Sequence, residues 1–192
     1  ALLAAAWGGP VTLRIALTII LTGWVAEYVG SHTGLPFGRY RYTDRLQPQI
    51  GRVPVVIPLA WLMMLPPAWA VSAAIVGRWH VANRLGDLSF IVLGALAFTA
   101  WDLFLDPQMV RWNLWTWEPT PHHRWRYFGV PWSNYLGWFA VSALITWAAS
   151  PAALAWEHAQ PALLTVYGLT WALETVGQLV FWQLPGPALV GA

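Results

Sequence analysis

Apolar residues run through this chain in five long stretches, near residues 11–30, 54–76, 87–106, 131–150 and 161–183, and the loops between them hold most of the charge. Neither Val53 to Gly77 nor Tyr127 to Trp156 contains a charged side chain, and both exceed the ~20 residues that a helix needs to cross ~30 Å of hydrocarbon. Runs of this length predict spanning helices. The fold expected is therefore all-α, a polytopic transmembrane helical bundle with about five visible spanning helices, residues 1–192 forming a single integral membrane domain. A shorter apolar stretch, Ala1 to Trp7, stops at Gly8-Gly9-Pro10 and reads as the end of an earlier helix, so truncation at the N-terminus is expected. No basic region followed by a small-residue cleavage site is visible, and no signal peptide is read.

Composition sharpens this picture. The chain is 58% hydrophobic and 9% charged, with 16 tryptophans against six tyrosines. Trp112, Trp115, Trp117, Tyr127 and Trp132 crowd the ends of apolar runs, where amphipathic rings prefer the headgroup layer, and read as interface anchors. The absence of cysteine removes disulfides, thiolate metal sites and cysteine nucleophiles, and the absence of lysine removes Schiff-base chemistry. Ten arginines leave a formal charge of +2, and no nucleic-acid partner is implied. Loops 31–53 and 107–130 fall on one side and carry seven arginines against three on the other, which predicts that the first side is cytoplasmic in a multi-pass protein of the cell membrane. Pro54, Pro58, Pro66 and Pro67 puncture the second segment, as in a kinked helix beside a pocket whose neighbours satisfy the freed carbonyls.

Four acids occupy or end these apolar segments: Glu27, Asp102, Asp106 and Glu174. Each costs roughly 2.5–3.5 kcal/mol at a helix centre, so something must offset it. Asp102 and Asp106 are four residues apart, which on a helix sets them about 40° and ~6 Å from each other on one face. Like charges that close in a low dielectric resist double ionisation, so one is expected to keep its proton near neutral pH and serve as an acid. With alternating helix directions, all four acids and Asn134 approach the same membrane face, and a single polar pocket is the economical reading. His32 and Arg39, shortly after Glu27, are placed at its rim. The structural alternatives are an ion pair of the aspartates with Arg111 or Arg39, an Asp106 that merely caps a helix before Pro107, and arginine pairing of Glu27 and Glu174. His32 could equally be a loop hydrogen-bonder. His122 and His123 are adjacent and point apart, so they share no metal and are read as interfacial.

Three stretches resemble a known family: Glu27 followed by Gly30-Ser31-His32-Thr33-Gly34-Leu35-Pro36-Phe37-Gly38-Arg39-Tyr40-Arg41-Tyr42, Trp101-Asp102 to Asp106-Pro107, and Tyr127-Phe128-Gly129-Val130-Pro131-Trp132-Ser133-Asn134-Tyr135 with Gly137-Trp138. Together they are similar to the integral-membrane carotenoid hydratases, including carotenoid 1',2'-hydratases and bisanhydrobacterioruberin hydratases. Members of that family are usually longer than this chain. The resemblance implies water addition to the terminal double bond of an acyclic ψ-end group, on lycopene, γ-carotene or a bacterioruberin precursor, with no cofactor and no metal. On that basis Asp102 and Asp106 are expected as the acid/base pair, with Glu27 or Glu174 tuning the proton and Asn134 holding water. Trp101, Tyr135 and Trp138 would face the substrate, and a tertiary carbocation, through their rings. The partners expected are a carotenoid and the lipid bilayer. Three other functions compete: a Mg²⁺-dependent prenyltransferase using Asp-x-x-x-Asp, a cyclase acting on the same end group, and a carotenoid-binding or transport protein.

Overall fold

A computed structural model describes residues 2–79, 84–118, 125–153 and 161–191. The chain is mostly helical, as the apolar runs predict. A short helix α1 (Leu2–Trp7) ends at Gly8, whose φ of 78° breaks it from α2 (Gly9–Thr33). There follow α3 (Val56–Trp79), α4 (Arg84–Arg111), α5 (Trp132–Ala153) and α6 (Pro161–Val176). A π-helical turn, Gly177–Phe181, and α7 (Pro185–Gly191) complete the order. By length and composition three stretches among the described residues can cross a membrane: Gly9–Thr33, Val56–Gly77 and Asp87–Arg111. Helices α5 and α6 stand where the fourth and fifth segments were expected, α6 with 16 residues before the π turn.

Several boundaries differ from the sequence reading for local reasons. Helix α4 was expected to stop at 106, before Pro107, but continues through it to Arg111. A proline inside a helix removes one backbone hydrogen bond, and the buried packing around this turn holds the helix across that gap. Of the prolines assigned to the second segment, Pro54 lies in a strand before α3 and Pro58 in its first turn, where no intrahelical N–H is needed, so only Pro66 and Pro67 interrupt the ladder.

The two long loops are not featureless. Strands β1 (Tyr40–Tyr42) and β4 (Trp115–Trp117) pair antiparallel, Tyr40 opposite Trp117 and Tyr42 opposite Trp115. This ribbon ties loop 31–53 to loop 107–130, so the two loops do share one end of the bundle. Two hairpins, β2 (Gln49–Ile50) with β3 (Val53–Pro54) and β5 (Arg126–Tyr127) with β6 (Val130–Pro131), complete that end.

Two glycines let the ribbon approach the helices. A Cβ on Gly30 would come within 2.6 Å of the Phe37 ring and one on Gly137 within 2.7 Å of it. Phe37 is thus wedged between α2 and α5, and Tyr40 behind it reaches Glu27. Below the ribbon, Trp61, Trp69, Phe98 and Ile145 form a buried core of α3, α4 and α5. Its polar ties are Trp69 Nε1 to Thr146 Oγ1 at 2.8 Å and Ser72 Oγ to the Phe90 carbonyl at 2.8 Å. Helix α6 packs outside this group, its Tyr167 hydroxyl donating to the Ala97 carbonyl at 2.7 Å.

Candidate active site

One helical turn of α4 carries Asp102 and Asp106 side by side, 0% and 1% exposed. From the first turn of α5, the Asn134 amide donates to both: to Asp102 Oδ2 at 3.2 Å and, more closely, to Asp106 Oδ2. Trp115 of β4 donates its indole N–H to Asp106 Oδ1 at 3.0 Å. Asp102 Oδ1 is buried without a hydrogen-bond partner among the described residues. No arginine among those residues pairs with either carboxyl, so the ion-pair alternative is not realised. The capping alternative fails because α4 continues past Asp106.

Glu27 is the second buried acid, 3% exposed on α2. Its Oε2 accepts from the hydroxyls of Tyr40 and Tyr42, the latter at 2.8 Å, and its Oε1 from Trp61 Nε1 at 3.3 Å. Burial, followed by the charge of Glu27, pushes both tyrosine hydroxyls well above their ordinary value of 10.0. They therefore remain donors throughout the physiological range. The two residues alternate along β1, and period two turns both toward α2.

Between the acids lies a cavity of about 30 Å³, with Glu27, Asp106 and Asn134 in its wall together with Trp61, Trp115 and Trp138. One water needs about 10–15 Å³, so the space admits water. Trp138 stacks on Trp61 with ring centroids 4.8 Å apart and lies 5.2 Å from Phe98, a packing that fixes the floor.

The other expected site residues are placed less centrally. Trp101 is buried near Phe98, 6.3 Å between centroids, and Tyr135 packs edge-on against Tyr127 at 5.8 Å; neither is in the cavity wall. The rim positions are not filled by the residues expected there. His32 is exposed, stacks on Tyr28 at 4.2 Å and has its Nδ1 2.7 Å from the Tyr28 carbonyl. Because α2 runs on to Thr33, His32 sits five residues and about 140° around the helix from Glu27. Arg39 is also exposed, and it is its backbone carbonyl that is engaged, by the Glu118 N–H at 2.9 Å. Glu174 is on α6, outside the helices that line the cavity, and its Oε2 has no hydrogen-bond partner among the described residues. Nearby Gln178 donates to the Phe104 carbonyl at 2.8 Å. His122 and His123 lie outside the described residues. Among those residues no three acidic or histidine side chains gather as metal ligands would.

Tyr40, Tyr42, Trp61, Trp115 and Trp117 line this cavity and were not foreseen as site residues. Trp115 and Trp117 were expected to be interface anchors; paired with β1, they turn inward instead, Trp115 being only 5% exposed. Tyr127, also expected at the interface, is buried against Val130 and Tyr135. The available signal was the repeated aromatic-x-aromatic spacing at 40–42 and 115–117, the mark of two strands with one aromatic face each.

Comparison with known proteins points to one family. The family model described as carotenoid biosynthesis protein matches residues 2–192. A bisanhydrobacterioruberin hydratase of Haloarcula japonica is 32% identical over 126 residues, which is 65% of this chain and 39% of that protein. The matched region thus spans about two fifths of the relative's length. No solved structure matches the chain. A match along nearly its full length means that the chain belongs to the carotenoid biosynthesis protein family.

Proposed function

We propose that this protein is a carotenoid hydratase that adds water across the terminal 1,2 double bond of an acyclic ψ-end group. The observation that carries the reading is the pair of buried aspartates bridged by one amide, beside a cavity that admits water. Two neighbouring carboxyls with few donors suit a site that holds one proton between them. One aspartic acid gives its proton to carbon 2; the π electrons form the new C–H bond and leave a tertiary cation at carbon 1. A water oxygen adds to carbon 1, and the proton it sheds returns to the aspartate pair. The sum is the alkene plus one water, with the pair's proton restored and no change of oxidation state in the protein. A positioned acid of this kind contributes typically 10²–10⁴-fold to rate.

Asn134 fixes the two carboxyls relative to each other, and the aromatic wall admits the branched end of the polyene while the rest stays in hydrocarbon. In this reading the protein crosses the cell membrane several times as one domain, and the carotenoid enters from the bilayer. The family match and the hydratase relative support the substrate class. Mass spectrometry of pigments from lycopene-producing cells expressing the protein tests it. A gain of one water per converted end group is expected. A product of unchanged mass but altered spectrum would replace hydration by cyclisation, and unchanged pigment with inserted protein would remove the enzymatic reading.

A further inference from the structure

The cavity has an unusual wall for a space meant only for hydrocarbon. Tryptophan and tyrosine rings from the ribbon (Tyr40, Tyr42, Trp115, Trp117) face rings from α3 and α5 (Trp61, Trp138) across it, and the ionisable carboxyls in the wall are Glu27 and Asp106. No arginine or histidine among the described residues lines it. A buried carboxyl is costly unless something compensates it, and here neutral donors do part of that work for Glu27: two hydroxyls and an indole N–H. Neutral donors orient the carboxyl and bring no positive charge of their own beside it. Aromatic faces supply the complementary half of a cation site, because their negative quadrupoles attract an organic cation, most strongly when water is excluded. The rings pack against one another: Tyr40 lies 5.8 Å from Trp117, Tyr42 5.7 Å from Trp115, and Trp61 4.8 Å from Trp138.

We infer that this aromatic box opens around and binds lipophilic organic cations, specifically the tertiary ammonium head of a branched isoprenoid chain, with Glu27 as its counter-charge. Such an amine has the branching and charge of the cation at carbon 1, so the choice of ligand draws on the hydratase reading. The binding itself does not, because attraction of an ammonium by rings and a carboxylate requires no turnover.

The test uses the purified full chain in zwitterionic lipid nanodiscs, with empty discs as the partition blank. Citronellyl-dimethylamine, protonated at neutral pH, and its neutral isostere with carbon in place of nitrogen are titrated while tryptophan fluorescence is followed. The ammonium is expected to bind at least about tenfold more tightly than the isostere. Glu27→Gln and, separately, Trp117→Leu on the ribbon should each erase most of that preference. Equal affinity of wild-type protein for the two ligands would overturn the inference, as would a preference retained in both variants. If Glu27→Gln does not fold, the wild-type comparison and Trp117→Leu still decide. A protein that prefers the ammonium but adds no water to a carotenoid keeps the site and loses the activity; one that hydrates without the preference does the reverse.

Discussion

Glu27 and Asp106 border the same cavity, with Asp102 behind Asp106 on the same turn of α4, yet the surroundings of Glu27 and of the aspartate pair are opposite. Glu27 has two oxygens and three donors: Tyr40, Tyr42 and Trp61. Asp102 and Asp106 have four oxygens between them and share two donor groups, the Asn134 amide and the Trp115 indole, with Asp102 Oδ1 left over. A carboxyl met by three donors is fixed in orientation, because turning it would break those hydrogen bonds. A pair with more lone pairs than donors is best used to carry a proton, which fills the deficit. The molecule thus separates its acids by hydrogen-bond supply, one wall holding a donor-braced carboxyl and the other a donor-poor pair to which the proposed reaction assigns the proton.

The largest effect expected from breaking this division is in the pair. Asp102→Asn and Asp106→Asn should each lower hydration about 10²–10⁴-fold while the protein remains inserted, measured as product formed per inserted protein. Removing the acidic carboxyl by Glu27→Gln should cost about tenfold in turnover, and leave the isotopic origin of the added hydrogen unchanged in D₂O. Tyr42→Phe deletes one of three donors to Glu27 and should cost about three- to tenfold in turnover. The smallest change is expected for Glu174→Gln, within about twofold, since α6 holds that residue away from the cavity. A large loss there would extend the site to α6 and erase the two-wall division.

The tyrosine surroundings also predict a response to pH. With both hydroxyls pushed well above 10.0 in the folded protein, the unfolded chain ionises first as pH rises. The folded state then binds more protons than the unfolded one, so their contribution holds below about pH 10 and stability falls above it. Thermal unfolding in detergent across that range checks the direction, and Tyr42→Phe should soften the alkaline fall.

The helical frame was legible because uncharged runs of spanning length leave the chain little choice in a bilayer. The gathering of Glu27, Asp102, Asp106 and Asn134 was legible too, through helix direction and the four-residue spacing of the aspartates. The ribbon was not: strands of three residues mix arginine with aromatics and carry little periodicity, and in a tryptophan-rich membrane chain the interface explanation absorbed Trp115 and Trp117. His32 and Arg39 were drawn to the rim by nearness in sequence, whereas the last turn of α2 carries His32 around to the exposed side. Glu174 satisfied the same directional rule as the other acids, but direction fixes height along the bundle, not which neighbour a helix faces. The π turn at Gly177–Phe181 left no trace in a hydropathy pattern that continues smoothly through it.

The most direct measurement is turnover of a ψ-end carotenoid by the purified chain in lipid nanodiscs, comparing wild type with Asp102→Asn and Asp106→Asn at matched thermal stability. Water addition by wild type, lost in both variants, is the predicted result; hydration at the wild-type rate in either variant would contradict the assignment of the proton to this pair.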